Sequence, residues 1–383
     1  MGGGWGSLAE FNSNFGLPLG DRTATPCLLM VGSDSAVVRR RGALLGLAAA
    51  ASFGVSAPLA KWLLSSFQPQ LLAGLLYLGA AAGLWLHRLF CPSTQEARLV
   101  RADLPWLFGV VVLGGVLGPL LMLLGLARVS AWAGSLLLNL EAPFTMLIAV
   151  AVFREHLGRR ALAAATLILA GALVLKLPGA EVAADTLGVL LLAAACVCWG
   201  LDNNLTQKLT LRDPFAIVRV KTLAAGLFNT GLALAMLSGP LPSGAAVLAA
   251  LLLGSVSYGL SVVLDAYALR AIGAAREAAY FATAPFLGAV LSWLLFRQPL
   301  GVWDALALFV MGLGVVLMLR ERHGHSHTHE EVEHEHLHEH DAHHQHVHGP
   351  GDPFGELHSH RHEHRPLEHD HPHLSDLHHR HDH

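Results

Sequence analysis

Apolar runs close to the twenty-residue length that crosses a bilayer recur along this chain, separated by short polar connections. Ten can be marked, at about 42–66, 70–90, 105–127, 130–153, 161–177, 186–207, 214–236, 245–268, 274–296 and 301–319. Several are rich in Gly and Ala, as closely packed membrane helices are. After residue 320 the apolar pattern stops. From there to the C-terminus histidine alternates with acidic and small polar residues. The expected architecture is an all-α integral membrane protein of ten transmembrane helices with a disordered tail.

Composition agrees with this. Of the 383 residues 53% are hydrophobic and 14% charged, against about 25% charged in soluble proteins. The formal net charge of -3 adds little, because histidine dominates the polar tail. Four cysteines, Cys27, Cys91, Cys196 and Cys198, show no disulfide-framework spacing. Cys196 and Cys198 sit inside an apolar run, as small buried residues or as a soft-metal pair. The first residues lack a basic stretch followed by an apolar signal core. MGGGWGS also misses the myristoylation pattern, with Gly6 where Ser or Thr is needed. This Gly-rich start is expected to be disordered, or to precede a later start at Met30.

Charges in the connections alternate. Arg39, Arg40, Arg41, Arg88, Arg98, Arg101, Arg154, Arg159, Arg160, Lys208, Arg212, Arg270, Arg276, Arg320 and Arg322 fall on one side of the predicted helices. Only Arg128, Lys176 and Arg297 fall on the other. By the positive-inside rule both termini are expected in the cytoplasm of a multi-pass inner-membrane protein.

The chain also repeats itself. EAPFTMLIAVAVFREHLG, Glu141 to Gly158, matches TAPFLGAVLSWLLFRQPLG, Thr283 to Gly301, at an offset of 142 residues that becomes 143. Upstream, SFGVSAPLAK (Ser52 to Lys61) echoes CWGLDNNLTQK (Cys198 to Lys208). Five helices is an odd number, so a second copy enters the membrane from the opposite side. Two inverted five-helix repeats are the architecture of many secondary transporters. The division expected is an N-terminal segment 1–38, a first repeat 39–180, a second repeat 181–320 and a tail 321–383. These features, the Ala-Pro-Phe helix and FREHLG/FRQPLG above all, resemble the EamA-type drug/metabolite transporter superfamily over about residues 42–320. The resemblance implies a secondary carrier, often an exporter of amino acids, metabolites or drugs, working without ATP. The tail is not part of that family pattern.

Ionisable groups inside a bilayer are costly and are candidates for function by default. Glu141 falls near the midplane of its helix, between Asn139 and Pro143. Proline frees a backbone carbonyl there, and broken helices at the midplane bind cargo in carriers of this kind. Thr283 and Pro285 are the counterparts of Glu141 and Pro143 in the second copy. Asp202, Asn203 and Asn204 form a second group. Lys221 lies at a depth matching Asp202, so an ion pair is expected, either as a lock between two helices or as a gate. Asp265 is a further candidate, able to pair with Arg270, and Lys61 is placed to snorkel to the outer water. Tyr77, Trp199, Tyr258 and Tyr280 are candidate cavity aromatics. Arg154 and Arg297 recur after the same helix of each copy and are expected to cap helix ends or sit at head groups.

Of the 25 histidines, 23 lie between His323 and His383, with 13 Asp or Glu. Such a segment cannot bury a core. Neutral imidazole ligates nickel, cobalt, zinc and copper. In an extended chain residues i and i+2 share a face. The expected metal ligands are His323, His325, His327, His329, His334, His336, His338, His340, His343, His344, His346 and His348, acting as a multi-ion buffer. No required cofactor and no enzymatic arrangement is expected. The expected partners are the lipid bilayer and a small solute or divalent metal cargo, with no nucleic acid. Three readings are open: an exporter with a metal-binding cytoplasmic tail linked to nickel, cobalt or zinc efflux; an amino-acid, metabolite or drug exporter for which metal is a regulator or bystander; and a metal store or sensor that transports nothing.

Overall fold

The computed structural model describes residues 35–90, 98–153, 158–177, 185–209, 212–237, 240–272, 280–297 and 300–319. In the tail it describes the backbone of 323–329, 332–338, 358–364 and 367–373. Helices occupy all ten predicted stretches: α1 (Arg40–Leu63), α2 (Pro69–Phe90), α3 (Arg101–Arg128), α4 (Ala131–Val152), α5 (Arg159–Val174), α6 (Thr186–Thr206), α7 (Pro214–Ala235), α8 (Gly244–Ala268), α9 (Ala284–Phe296) and α10 (Val302–Met318). Seven of them, α1–α4 and α6–α8, are long and apolar enough to cross a membrane. The other three are shorter among the described residues; the chain before α9, at 273–279, lies outside them.

Local chemistry fixes where the helices start. The Ser130 hydroxyl caps α4 by accepting from the Ala133 amide. Asp185 caps α6 through the Leu187 and Gly188 amides. Asp213 followed by Pro214 opens α7, and Ser243 opens α8. Each supplies an acceptor to amides that have no partner within the helix, and proline is favoured in the first turn. The α9 helix stops at Arg297, which takes a left-handed φ of 47° and donates its amide to the Trp293 carbonyl. The helix-capping role expected of Arg297 is therefore its backbone role; Arg154 lies outside the described residues.

The helices pair reciprocally between the two halves. The second helices pack on each other (α2 on α7), as do the fourth (α4 on α9) and the fifth (α5 on α10). The first helix of each half packs on the third of the other (α1 on α8, α6 on α3). This is the contact pattern of a two-fold relation between repeats. Small residues permit it. At the α2–α8 crossing a Cβ on Gly79 or Gly254 would run into the opposing main chain, at Leu251 and Leu76 respectively.

Three helices change helical type at mid-length, and α1 is interrupted by a turn at Val55. α3 is π-helical over Val111–Leu117 and α8 over Ser255–Leu260, the same helix of each repeat. α4 passes through a 3₁₀ turn at Leu138–Leu140 and resumes as α-helix at Glu141. Before this turn every residue of α4 is buried, and after it most are half-buried or exposed.

The four described tail segments are extended: β1 (His323–His329), β2 (Val332–His338), β3 (His358–His364) and β4 (Leu367–His373). They pair antiparallel, β1 with β4 and β2 with β3. This differs from the disorder expected for the whole tail. An alternation of period two matches a strand, so the register brings histidine opposite histidine, as at His325 and His371 or His336 and His360. The remaining tail positions and residues 1–34 lie outside the described residues, and so do His340, His343, His344, His346 and His348.

Candidate functional site

The centre of the molecule is built where α6 passes between α4 on one side and α3 and α7 on the other. Two adjacent residues of α6 face these two sides. Asn203 donates its side-chain amide to Glu141 Oε1 at 2.9 Å. Asp202 accepts from the Lys221 ammonium of α7 through Oδ2. Successive helix positions differ by about 100° around the axis, so neighbours in sequence reach different helices.

Glu141 is the eleventh residue of the 22 in α4 and the first after the 3₁₀ turn. It is half-buried, and Asn203 is exposed. The Glu141 carbonyl accepts from the Thr145 hydroxyl at 2.9 Å. Pro143 is buried. Lacking an N–H, it leaves the Asn139 carbonyl without its usual helical donor. The neighbouring carbonyls of Leu137 and Leu138 receive the Cys196 thiol at 3.7 and 3.9 Å. Cys196 is thus a buried partner of the helix break. Both Cys196 and Cys198 are free thiols. Among the described residues no three His, Cys, Asp or Glu side chains converge as a metal site would require.

Asp202 is 4% exposed and packs over Gly114, in the π-helical stretch of α3. A Cβ on Gly114 would enter the carboxylate. The Gly114 carbonyl accepts from the Tyr77 hydroxyl at 2.8 Å and from the Trp199 indole N–H at 3.3 Å. Helices α2, α3, α6 and α7 therefore meet at one buried polar node. From Tyr77 an aromatic chain continues to Tyr258 of α8, ring centroids 5.7 Å apart, then to Phe53 of α1 at 5.8 Å and Phe281 at 5.3 Å. Tyr77, Trp199 and Tyr258 thus come together as buried, packed groups, whereas Tyr280 lies elsewhere, its Cβ 3.2 Å from a Cβ built on Gly46.

Other predicted site residues hold the scaffold. Asn139 is 5% exposed and donates to the Leu136 carbonyl of its own helix at 3.0 Å. Asn204 is buried and donates to the Thr145 and Gly200 carbonyls, tying α6 to α4. Thr283 turns its hydroxyl to the Tyr280 carbonyl at 2.6 Å, just ahead of α9, and Pro285 lies in the first turn. Asp265 is half-buried and engaged with its surroundings; the side chain of Arg270 lies outside the described residues. Lys61 lies at the outer end of α1 as expected, and its ammonium there donates to the Leu126 and Ala127 carbonyls at 2.5 and 3.3 Å, the second at an exposed site, at the C-terminal end of α3. Carbonyls without helical donors, at the negative end of a helix dipole, draw a cation.

On the lysine-poor side Arg128 and Asp185 form an exposed ion pair at 2.7 Å, joining the end of α3 to the start of α6. The guanidinium hydrogen bonds hold the Asp185 carboxyl below the usual carboxylate range, helped by the Gly188 and Leu187 amides. On the basic side Asp213 pairs with Arg219 at 3.2 Å and Asp103 with Arg212 at 2.9 Å.

Sequence comparisons agree with this architecture. The EamA-like transporter family matches the chain twice, over residues 40–177 and 186–320. An uncharacterized transporter of Methanothermobacter thermautotrophicus is 31% identical over 287 residues, which cover 68% of this chain and 80% of that protein. An uncharacterized protein of Pseudomonas aeruginosa is 34% identical over 173 residues, 45% of this chain and 59% of its own. A protein crystal structure superposes with a TM-score of 0.55 at 20% identity, covering 73% of this chain and 98% of that one, a likeness of fold. Matched in both of its halves, the chain belongs to the EamA-like transporter family.

Proposed function

We propose that this membrane transporter is a secondary carrier that exports a small polar solute bearing a cationic group, with Glu141 as the group that meets it. The observation supporting this is the setting of Glu141: a carboxylate at the middle of a membrane helix, directly after a helix break. It is hydrogen-bonded by the neutral amide of Asn203 and only half-buried. Polar groups at this depth face a water-filled path and not lipid, because hydrocarbon offers them no partner. Asp202 is already occupied by Lys221, so of these two carboxylates Glu141 is the one left to balance a cation. The inverted pair of repeats supplies the two packings that alternating access needs. No chemical step is assigned to the chain.

The tail supports a second, separable role. In the β1–β4 and β2–β3 registers histidine positions pair across the strands, such as His325 with His371 and His327 with His369. Imidazole is a ligand for nickel, cobalt, zinc and copper. With both termini cytoplasmic, the tail gathers such ions inside the cell, either as cargo for efflux or as a signal to the carrier.

The test is efflux from cells expressing the full chain, a 1–322 truncation and Glu141→Gln. It is read with labelled amino acids, an organic amine, and nickel, cobalt, zinc and copper. The carrier reading expects efflux of an amine-bearing solute that Glu141→Gln abolishes and the truncation only shifts. Glu141-dependent metal efflux would make the metal the cargo. A metal phenotype lost with the tail and indifferent to Glu141→Gln would leave a metal store and end the carrier reading.

A further inference from the structure

We propose that each of the two tail ribbons is a transition-metal site shared between its strands, and that the bound ion holds the two arms of the tail together. The proposal rests on the metal-gathering role given to the tail and is independent of the carrier reading. In β1–β4 the partners are His323 with His373, His325 with His371 and His327 with His369. In β2–β3 they are His334 with His362, His336 with His360 and His338 with His358. Alternate positions of a strand share a face. In each ribbon every histidine position therefore falls on one face and none on the other. Two successive pairs mark a rectangle of about 5 by 7 Å, whose half-diagonal of about 4 Å is within the reach of a histidine side chain. Four such positions can thus serve one ion.

The two registers are continuous. Residues 330–331 separate β1 from β2, and residues 365–366 separate β3 from β4, two on each arm. In that gap the histidines change phase on both arms. They run at odd numbers in β1 and β4 and at even numbers in β2 and β3. A polar repeat indifferent to pairing has no cause to switch both arms at the same level. Packing does not hold the arms together. Val332, Leu337 and Leu367 are the only large apolar residues at the paired positions, and Glu333 stands opposite Glu363. A two-stranded ribbon is marginal in water even with a better apolar face, and like charges opposed across it cost stability. A bridging ion supplies what is missing, because metal affinity is then folding free energy. An all-imidazole set selects nickel, copper, zinc or cobalt over magnesium and calcium, which take oxygen ligands. Closure of the arms brings residue 373 beside residue 323, just beyond the end of α10.

The experiment counts zinc, and separately nickel, retained by the purified full chain against a competing chelator. Sites within one strand lose ions independently, whereas a site shared by two strands is lost once. The β1 variant is His325→Gln with His327→Gln, the β4 variant His369→Gln with His371→Gln, and the β3 variant His360→Gln with His362→Gln. Each is expected to lose one ion relative to the wild type. The β1 and β4 variants combined still lose one, and the β1 and β3 variants combined lose two. Trypsin gives a second reading. Zinc is expected to slow cleavage after Arg361, within β3, and to leave Arg380, beyond β4, unaffected. His334→Gln with His336→Gln, on the opposite arm, removes that protection. Loss of two ions when β1 and β4 are combined, no loss in the single-strand variants, or an Arg361 still protected when the opposite arm is changed overturns the proposal and leaves the tail a set of local sites. A wild type that retains no more metal than the 1–322 truncation ends the tail's metal role as well.

Discussion

The third helices of the two repeats carry the same irregularity in different company. In α3 the π-helical turn at Val111–Leu117 meets Trp199 from the first helix of the other repeat, and beside it lie Asp202 and Lys221. In α8 the turn at Ser255–Leu260 meets Phe53 from the first helix of the other repeat through Tyr258. There Ser56 stands at the position of Asp202 in the repeat alignment and is 1% exposed. Even the glycine after the aromatic residue is used alike. Gly200 lies against the α4 main chain at Thr145, and Gly54 against the α9 main chain at Ala284. Duplication thus supplied the packing twice. The Asp202–Lys221 ion pair stands at one of the two nodes only, so that end of the aromatic chain carries a pair of charges where the other has Ser56.

The largest expected effect breaks the charged side. Lys221→Met leaves the Asp202 carboxylate buried and uncompensated and is expected to cost about 3–5 kcal/mol. Ser56→Ala on the uncharged side costs no more than about 1 kcal/mol. Unfolding of the purified protein in detergent reads both, and equal losses would dissolve the contrast. Next comes the glycine under the carboxylate. Gly114→Ala overpacks it and is expected to cost about 1–3 kcal/mol. Gly259→Ala, whose Cβ would meet the Ala80 carbonyl oxygen at 3.1 Å, is accommodated by a small shift. Tyr77→Phe separates hydrogen bond from ring. It is expected to lose about 1 kcal/mol through the Gly114 carbonyl while keeping the Tyr258 contact.

The smallest effect lies on the surface, at Arg128 and Asp185. The carboxyl titrates below its unfolded value, so the pair's contribution is fully present above about pH 3.9. It is lost as pH falls through the depressed native value. Unfolding of wild type and Arg128→Gln should therefore converge at the acid end of a pH series. High salt should shrink their difference at neutral pH. A difference that grows on acidification would reverse the assigned sign.

How much of this was readable beforehand depends on what hydropathy records. It records depth, so the ten stretches, the midplane position of Glu141 and the pairing of Asp202 with Lys221 follow from counting residues along helices. It does not record rotation about each helix axis. Asn139 and Asn204 looked like cavity groups but turn to backbone carbonyls, and the helix-end carbonyls that Lys61 meets at the outer end were not visible in the sequence. The node at Gly114 was missed altogether. Its signal was the run LGGVLGP, Leu113 to Pro119, in which three glycines and a proline crowd one stretch of helix. Composition alone does not say which neighbour will occupy the space they leave.

The 3₁₀ turn in α4 has a kinetic consequence. Bending an intact helix at its middle breaks hydrogen bonds that hydrocarbon cannot replace. In α4 the regular ladder is already interrupted at Leu138–Leu140, and Pro143 takes one more donor out of it. The second half of α4 can therefore pivot about Glu141 with little further loss of bonding. The pivot lies at the carboxylate itself, so if Glu141 meets the cargo as proposed, the bend falls at the point of contact and has a low barrier there.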